Sequence, residues 1–135
     1  MNINVQSAKI FLILGSVNAM LVVILGAFGA HALKTRLDAD LLAVYQTGVQ
    51  YHFYHALGLL FVGVISRQFP PSVWIKTSGW LMFSGILLFS GSLYVLSLTS
   101  WRWLGAVTPV GGMAFILAWL CLTIGIIRQF TADIN

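Results

Sequence analysis

Two of the chain's three histidines, His52 and His55, stand in the segment 47–60, TGVQYHFYHALGLL, inside a long run without a charged residue. Imidazole titrates near neutral pH, ligates metals and relays protons, and an ionisable group within an apolar span is a functional candidate by default. On a helix the two rings fall within about 60° of each other, and Gly48 and Leu59 share their stripe. Gln46, Gln50 and Tyr54 fall on the far side. No carboxylate or cysteine is placed to complete a metal shell with the pair, so neither a metal nor haem nor any other cofactor is expected. There is no acid inside any apolar run, no nucleophile–base pair and no zinc motif, so no enzyme is expected. Serines 84, 90 and 92 lie on an apolar stretch and are expected to hydrogen-bond their own backbone.

The elements that must position these residues follow from the charges. The chain of 135 residues is 59% hydrophobic and only 7% charged, where a soluble domain has roughly a quarter. Between Lys9 and Lys34 lie 24 uncharged residues, between Asp40 and Arg67 26, and between Lys76, Arg102 and Arg128 two further runs of 25. About 20 residues cross the hydrocarbon as a helix, so each run holds one crossing. The expectation is an all-α bundle of four transmembrane helices, about 10–31, 43–66, 77–98 and 109–128, in a single integral membrane domain, 1–135. The net charge of +4 sits in the connectors, which excludes nucleic acid as a partner. The lone Cys121 can form no intramolecular disulfide. Ala30-His31-Ala32 mimics a signal cleavage site, but the apolar run before it is longer than a signal core, so cleavage is not expected.

The first half of helix two is polar nearly all the way round, and its second half is aliphatic. An unpaired polar group at lipid depth costs several kcal/mol, so that half should be enclosed by the other helices. Helix one offers Gly15, Ala19, Val22, Gly26 and Gly29 at helical spacing, a stripe of mostly small residues for close approach. If the connector turns near Leu37, Gly26 meets Gly48, Val22 meets His52 and Ala19 meets His55. Asn18 then lies at the depth of His55, and an Asn18–His55 hydrogen bond is expected. Asn18, Gln50, His52 and His55 form the candidate buried polar site. His31, roughly 18 Å above His55, is an interfacial candidate and cannot share an ion with it.

Pro70 and Pro71 force the next turn, with Trp74 and Lys76 as an interface anchor. Trp101-Arg102-Trp103 is the matching element at the opposite surface, and Thr108-Pro109 suits a helix start with threonine as cap. At an offset of 61 residues, 7 of 23 positions of helices two and four are identical, from Thr47/Thr108 to Phe69/Phe130. Two tandem helical hairpins would explain this, and so would shared apolar composition. Lys9, Arg67, Lys76 and Arg128 on one side against Lys34, Arg36 and Arg102 on the other favour both termini in the cytoplasm.

These segments resemble the YgdD-like domain-of-unknown-function 423 family, small multi-pass membrane proteins of bacteria with mitochondrial relatives. The matching stretches run in order across nearly the whole chain. They are Gly26-Ala27-Phe28-Gly29-Ala30-His31, Gln46-Thr47-Gly48 with Tyr51 and His55-Ala56-Leu57, Phe89-Ser90-Gly91-Ser92-Leu93-Tyr94, and Thr108-Pro109-Val110-Gly111-Gly112. The resemblance implies four transmembrane helices in the bacterial inner membrane and no known activity. The family pattern holds another polar residue at the position of His52, which leaves His31 and His55 as the stronger candidates. The function expected is a non-catalytic accessory or interaction subunit, in contact with the lipid bilayer and acting as a homo-oligomer or within a larger membrane complex. The alternative is a small transporter or channel with a polar path lined by the histidines.

Overall fold

The computed structural model describes residues 3–132, with side chains for 5–131. Helix α1, Ile3–Phe28, runs on through a π-helical turn, Gly29–Leu33. Helix α2 is Ala39–Gln68, and α3 is Val73–Thr99 with a π-helical turn, Ile86–Ser90, at its middle. A 3₁₀ segment, Arg102–Ala106, leads into α4, Thr108–Ala132. All four helices are long and apolar enough to cross a membrane.

The helices outrun the uncharged runs because a charge ends the hydrocarbon layer and not the helix. The start of α2 is Ala39 rather than 43, with the Asp38 carboxylate accepting from the Leu41 amide at 2.8 Å. The start of α3 is Val73 rather than 77, capped by Ser72. Thr108 is not a cap: the Val107 carbonyl takes the first helical bonds, and the Thr108 hydroxyl donates back to Leu104. The 3₁₀ segment already feeds the helix there, which leaves the threonine nothing to cap.

Helix α2 is central. Half of its most apolar stretch is buried, against 22% in α1, 39% in α3 and 33% in α4, although it is the least apolar of the four. Helix α1 packs along α2 and α4 along α3, giving two hairpins that meet through α2 and α3. Glycines set the spacing. A side chain at Gly15 would strike the Leu60 backbone and one at Gly63 the Leu12 backbone, while one at Gly111 would overlap Phe89 of the π turn. Each marks a place where two backbones touch. The apolar core, including Phe11, Leu59, Val62, Met82, Phe115 and Leu122, fills the half of the bundle nearer Arg67 and Lys76. The hydrogen-bonded buried polar side chains Asn18, His52, His55, Ser92 and Ser97 are gathered in the other half, while Ser66 and Ser78 are buried in this one.

Candidate functional site

Helix α2 turns its two histidines toward different neighbours. His52 is 4% exposed and looks toward α1 and α3; its Nε2 lies 3.0 Å from Asn18 Oδ1 and its Nδ1 3.0 Å from the Tyr94 hydroxyl. Asn18 donates its amide N–H to the Leu14 carbonyl at 2.8 Å, which fixes Oδ1 as the atom facing His52. The hydrogen-bond network therefore assigns the proton of His52 to Nε2, leaving Nδ1 to accept from Tyr94. Tyr94 packs against Tyr45 at 5.2 Å between ring centroids, and the Tyr45 hydroxyl donates to the Leu25 carbonyl of α1 at 2.7 Å. Three helices are laced together by this chain of bonds.

His55, also 4% exposed, looks toward α4. Its ring lies flat on Phe115, with centroids 3.4 Å apart and planes at 7°. Nδ1 is 2.7 Å from the Tyr51 carbonyl, and Nε2 accepts from the Trp119 indole N–H at 3.1 Å. A carbonyl can only accept and an indole N–H can only donate, so the proton of His55 is on Nδ1. The two histidines are thus opposite tautomers, both neutral, with every ring nitrogen engaged. An aromatic groove of about 580 Å³ opens beside His55, between Tyr54, Phe89, Ile116 and Trp119. No nitrogen of His55 is left over to meet a ligand there.

The expected Asn18–His55 bond is not formed; Asn18 pairs with His52. The depth count was sound, since Gly26 faces Val49 and Gly15 faces Leu60, within about one residue of counting outward from Leu37. Direction around the helix decided the partner. The roughly 60° between the rings is enough to send one to α1 and the other to α4. Gln50 does not belong to the buried site. It lies on the outside with Gln46 and Tyr54, and its amide donates to the Tyr54 hydroxyl at 2.7 Å. The polar half of α2 is therefore enclosed on one side only. His31 is exposed in the π turn that ends α1. Of the three serines, Ser92 bonds its own backbone at Phe89 and also Thr108 of α4 at 2.8 Å, while Ser84 is exposed. Ser90 is fully buried, and its hydroxyl has no hydrogen-bond partner among the described residues.

Tyr45, Tyr94 and Trp119 complete the site and were not singled out from the sequence. Each stands in an apolar run where an aromatic residue gives no sign that its polar atom has a buried partner.

Fold and site together define a class: a four-helix multi-pass membrane protein with an enclosed, internally paired polar network. A family model described as "Protein of unknown function (DUF423)" matches residues 25–112. The "UPF0382 membrane protein YwdK" of Bacillus subtilis is 51% identical over 120 residues, covering 89% of this chain and 98% of that protein. The "UPF0382 membrane protein SSP2132" of Staphylococcus saprophyticus is 50% identical over 117 residues, covering 87% and 96%. The chain belongs to this family of bacterial membrane proteins of unknown function. No solved structure matches it.

Proposed function

We propose that the chain is a non-catalytic accessory subunit of the bacterial plasma membrane, whose histidines hold helices together and whose α2 outer face seats a second copy. The observation that carries this reading is that all four ring nitrogens of His52 and His55 are bonded within the protein. Each of the four is turned to a group of the protein on a neighbouring turn or helix, the arrangement of a side chain that ties helices together.

What the bundle leaves unpaired is on the outside. Gln50 spends one N–H on Tyr54 and keeps a carbonyl and a second N–H facing outward near mid-membrane, one turn from the exposed Gln46. Lipid chains cannot meet that demand. A primary amide is complementary to itself, so a copy related by a twofold axis supplies the missing partners. Gly26, Gly29 and Ala30 border the same face in a hollow of about 170 Å³, where a neighbouring helix gains close approach. Four basic residues at the end bearing both termini support a cytoplasmic location for that end.

The test is oxidative cross-linking of Gln50→Cys in native membranes, on a Cys121→Ser background. A disulfide-linked dimer is the expected product, and Ile13→Cys on the far side of α1 should give none. Monomer throughout would remove the second copy. Proton flux in vesicles that His55→Leu abolishes would replace the accessory role with a pathway.

A further inference from the structure

We propose that the cavity between α1, the α2–α3 turn and the first turn of α3 is a phosphate site, filled by a lipid headgroup or by the free ion. The cavity, about 270 Å³, is lined by Ser7, Ser66, Ser72 and Lys76 beside Pro70 and Pro71. Ser66 gives it direction. The residue is 7% exposed, lines the cavity, and its hydroxyl has no hydrogen-bond partner among the described residues. The serines and threonines of α3 and α4 that do bond, such as Ser97 and Thr123, return to a carbonyl one turn back. Ser66 has forgone that bond, and its hydroxyl is left open to the cavity, free to donate to or accept from a group held there.

The other wall supplies matching donors. At the start of α3 the Lys76 amide reaches the Ser72 carbonyl, and the Ile75 amide reaches the Ser72 hydroxyl at a long 3.5 Å. The amides of Val73 and Trp74 have no acceptor within the helix, and the positive end of the helix dipole lies there. Lys76 is exposed at the rim and adds a full charge. Lys9, Arg67 and Arg128 stand at the same end of the bundle, whereas Asp38 and Asp40 stand at the opposite one. Hydroxyls from three elements, the Val73 amide and an ammonium suit a tetrahedral group with several acceptor oxygens. A second hollow of about 230 Å³ shares Ser7 and Lys76 and continues along Ile10, Phe11 and Trp80. Gln6 also lines this second hollow, so it offers a mixed polar and apolar extension of the first.

Native mass spectrometry of the full chain, released from nanodiscs of mixed phosphatidylglycerol and phosphatidylcholine, measures the lipid preference. The expected result is retained phosphatidylglycerol whose excess falls about fivefold in Lys76→Gln, the contribution of one basic residue at an anionic surface. Ser66→Ala should lower it as well, while Arg102→Gln at the opposite end leaves it unchanged. Phosphorus NMR of inorganic phosphate, in a phosphate-free detergent, reads the second source. Line broadening that Lys76→Gln and Ser66→Ala remove, without any lipid preference, assigns the site to the free ion. If neither variant changes either signal, or if Arg102→Gln acts equally, the site is refuted. Melting curves in the same nanodiscs confirm that each variant is folded.

Discussion

His52 and His55 are three residues apart and do different things with the same side chain. The Asn18 oxygen, which can only accept, places the proton of His52 on Nε2, while Tyr51 and Trp119 force that of His55 onto Nδ1. Nitrogen NMR of the labelled protein should therefore show two neutral imidazoles of opposite tautomer. Asn18→Ala should perturb the His52 signals, leave those of His55 in place, and cost about 0.6–1.7 kcal/mol, the span measured for hydrogen bonds between membrane helices. A matching pair of tautomers, or a shift at His55 instead, would contradict the network. Residue types disclosed which groups are buried, because an asparagine or histidine in an apolar run needs a partner. They did not disclose which partner. That depended on how α1, α3 and α4 are ordered around α2, and on Tyr94 and Trp119, whose polar atoms carry no periodic signal.

At the scale of elements, the count of four helices was legible because charges interrupt the chain once per crossing, and the depth of α1 against α2 followed from the turn near Leu37. The two π turns were not legible. Neither Gly29–Leu33 nor Ile86–Ser90 contains a proline, and the wider turn shows only in the packing. The second turn has a mechanical consequence. Helix α4 rests its Gly111 on the backbone of Leu88 and Phe89, so a methyl group at Gly111 has nowhere to go. A side-chain contact can shift and a backbone contact cannot. Gly111→Ala should therefore destabilise the bundle by about 1–3 kcal/mol, the range for overpacking. Gly26→Ala meets only Val49 Cγ1 at 3.5 Å, an ordinary contact, and should stay within about 0.5 kcal/mol of the parent. Unfolding in mixed detergent micelles compares the two directly, and equal effects would mean that α4 does not ride on the π turn.

For the whole molecule the question is how the helices sit across the bilayer. Helix α2 has 30 residues, about 45 Å, where the hydrocarbon is about 30 Å thick, so its ends project into water or headgroups. Trp101 and Trp103 are 57% and 64% exposed at one end, and Arg128 stacks over Trp74 at 5.2 Å at the other. Aromatic residues at both levels fit a bundle held at its two interfaces. Lys34 and Arg102 then share one surface and Arg67 and Lys76 the other, and all four are exposed. With single cysteines at these positions on a Cys121→Ser background, a membrane-impermeant thiol reagent should divide them into those pairs. If the end rich in basic residues faces the cytoplasm, Lys34→Cys and Arg102→Cys label in intact cells, whereas Arg67→Cys and Lys76→Cys label only after the membrane is opened. The reverse pattern would keep four crossings and invert the orientation. A pair split between the two surfaces would break the four-helix crossing itself, and with it the reason for His52 and His55 to be paired inside.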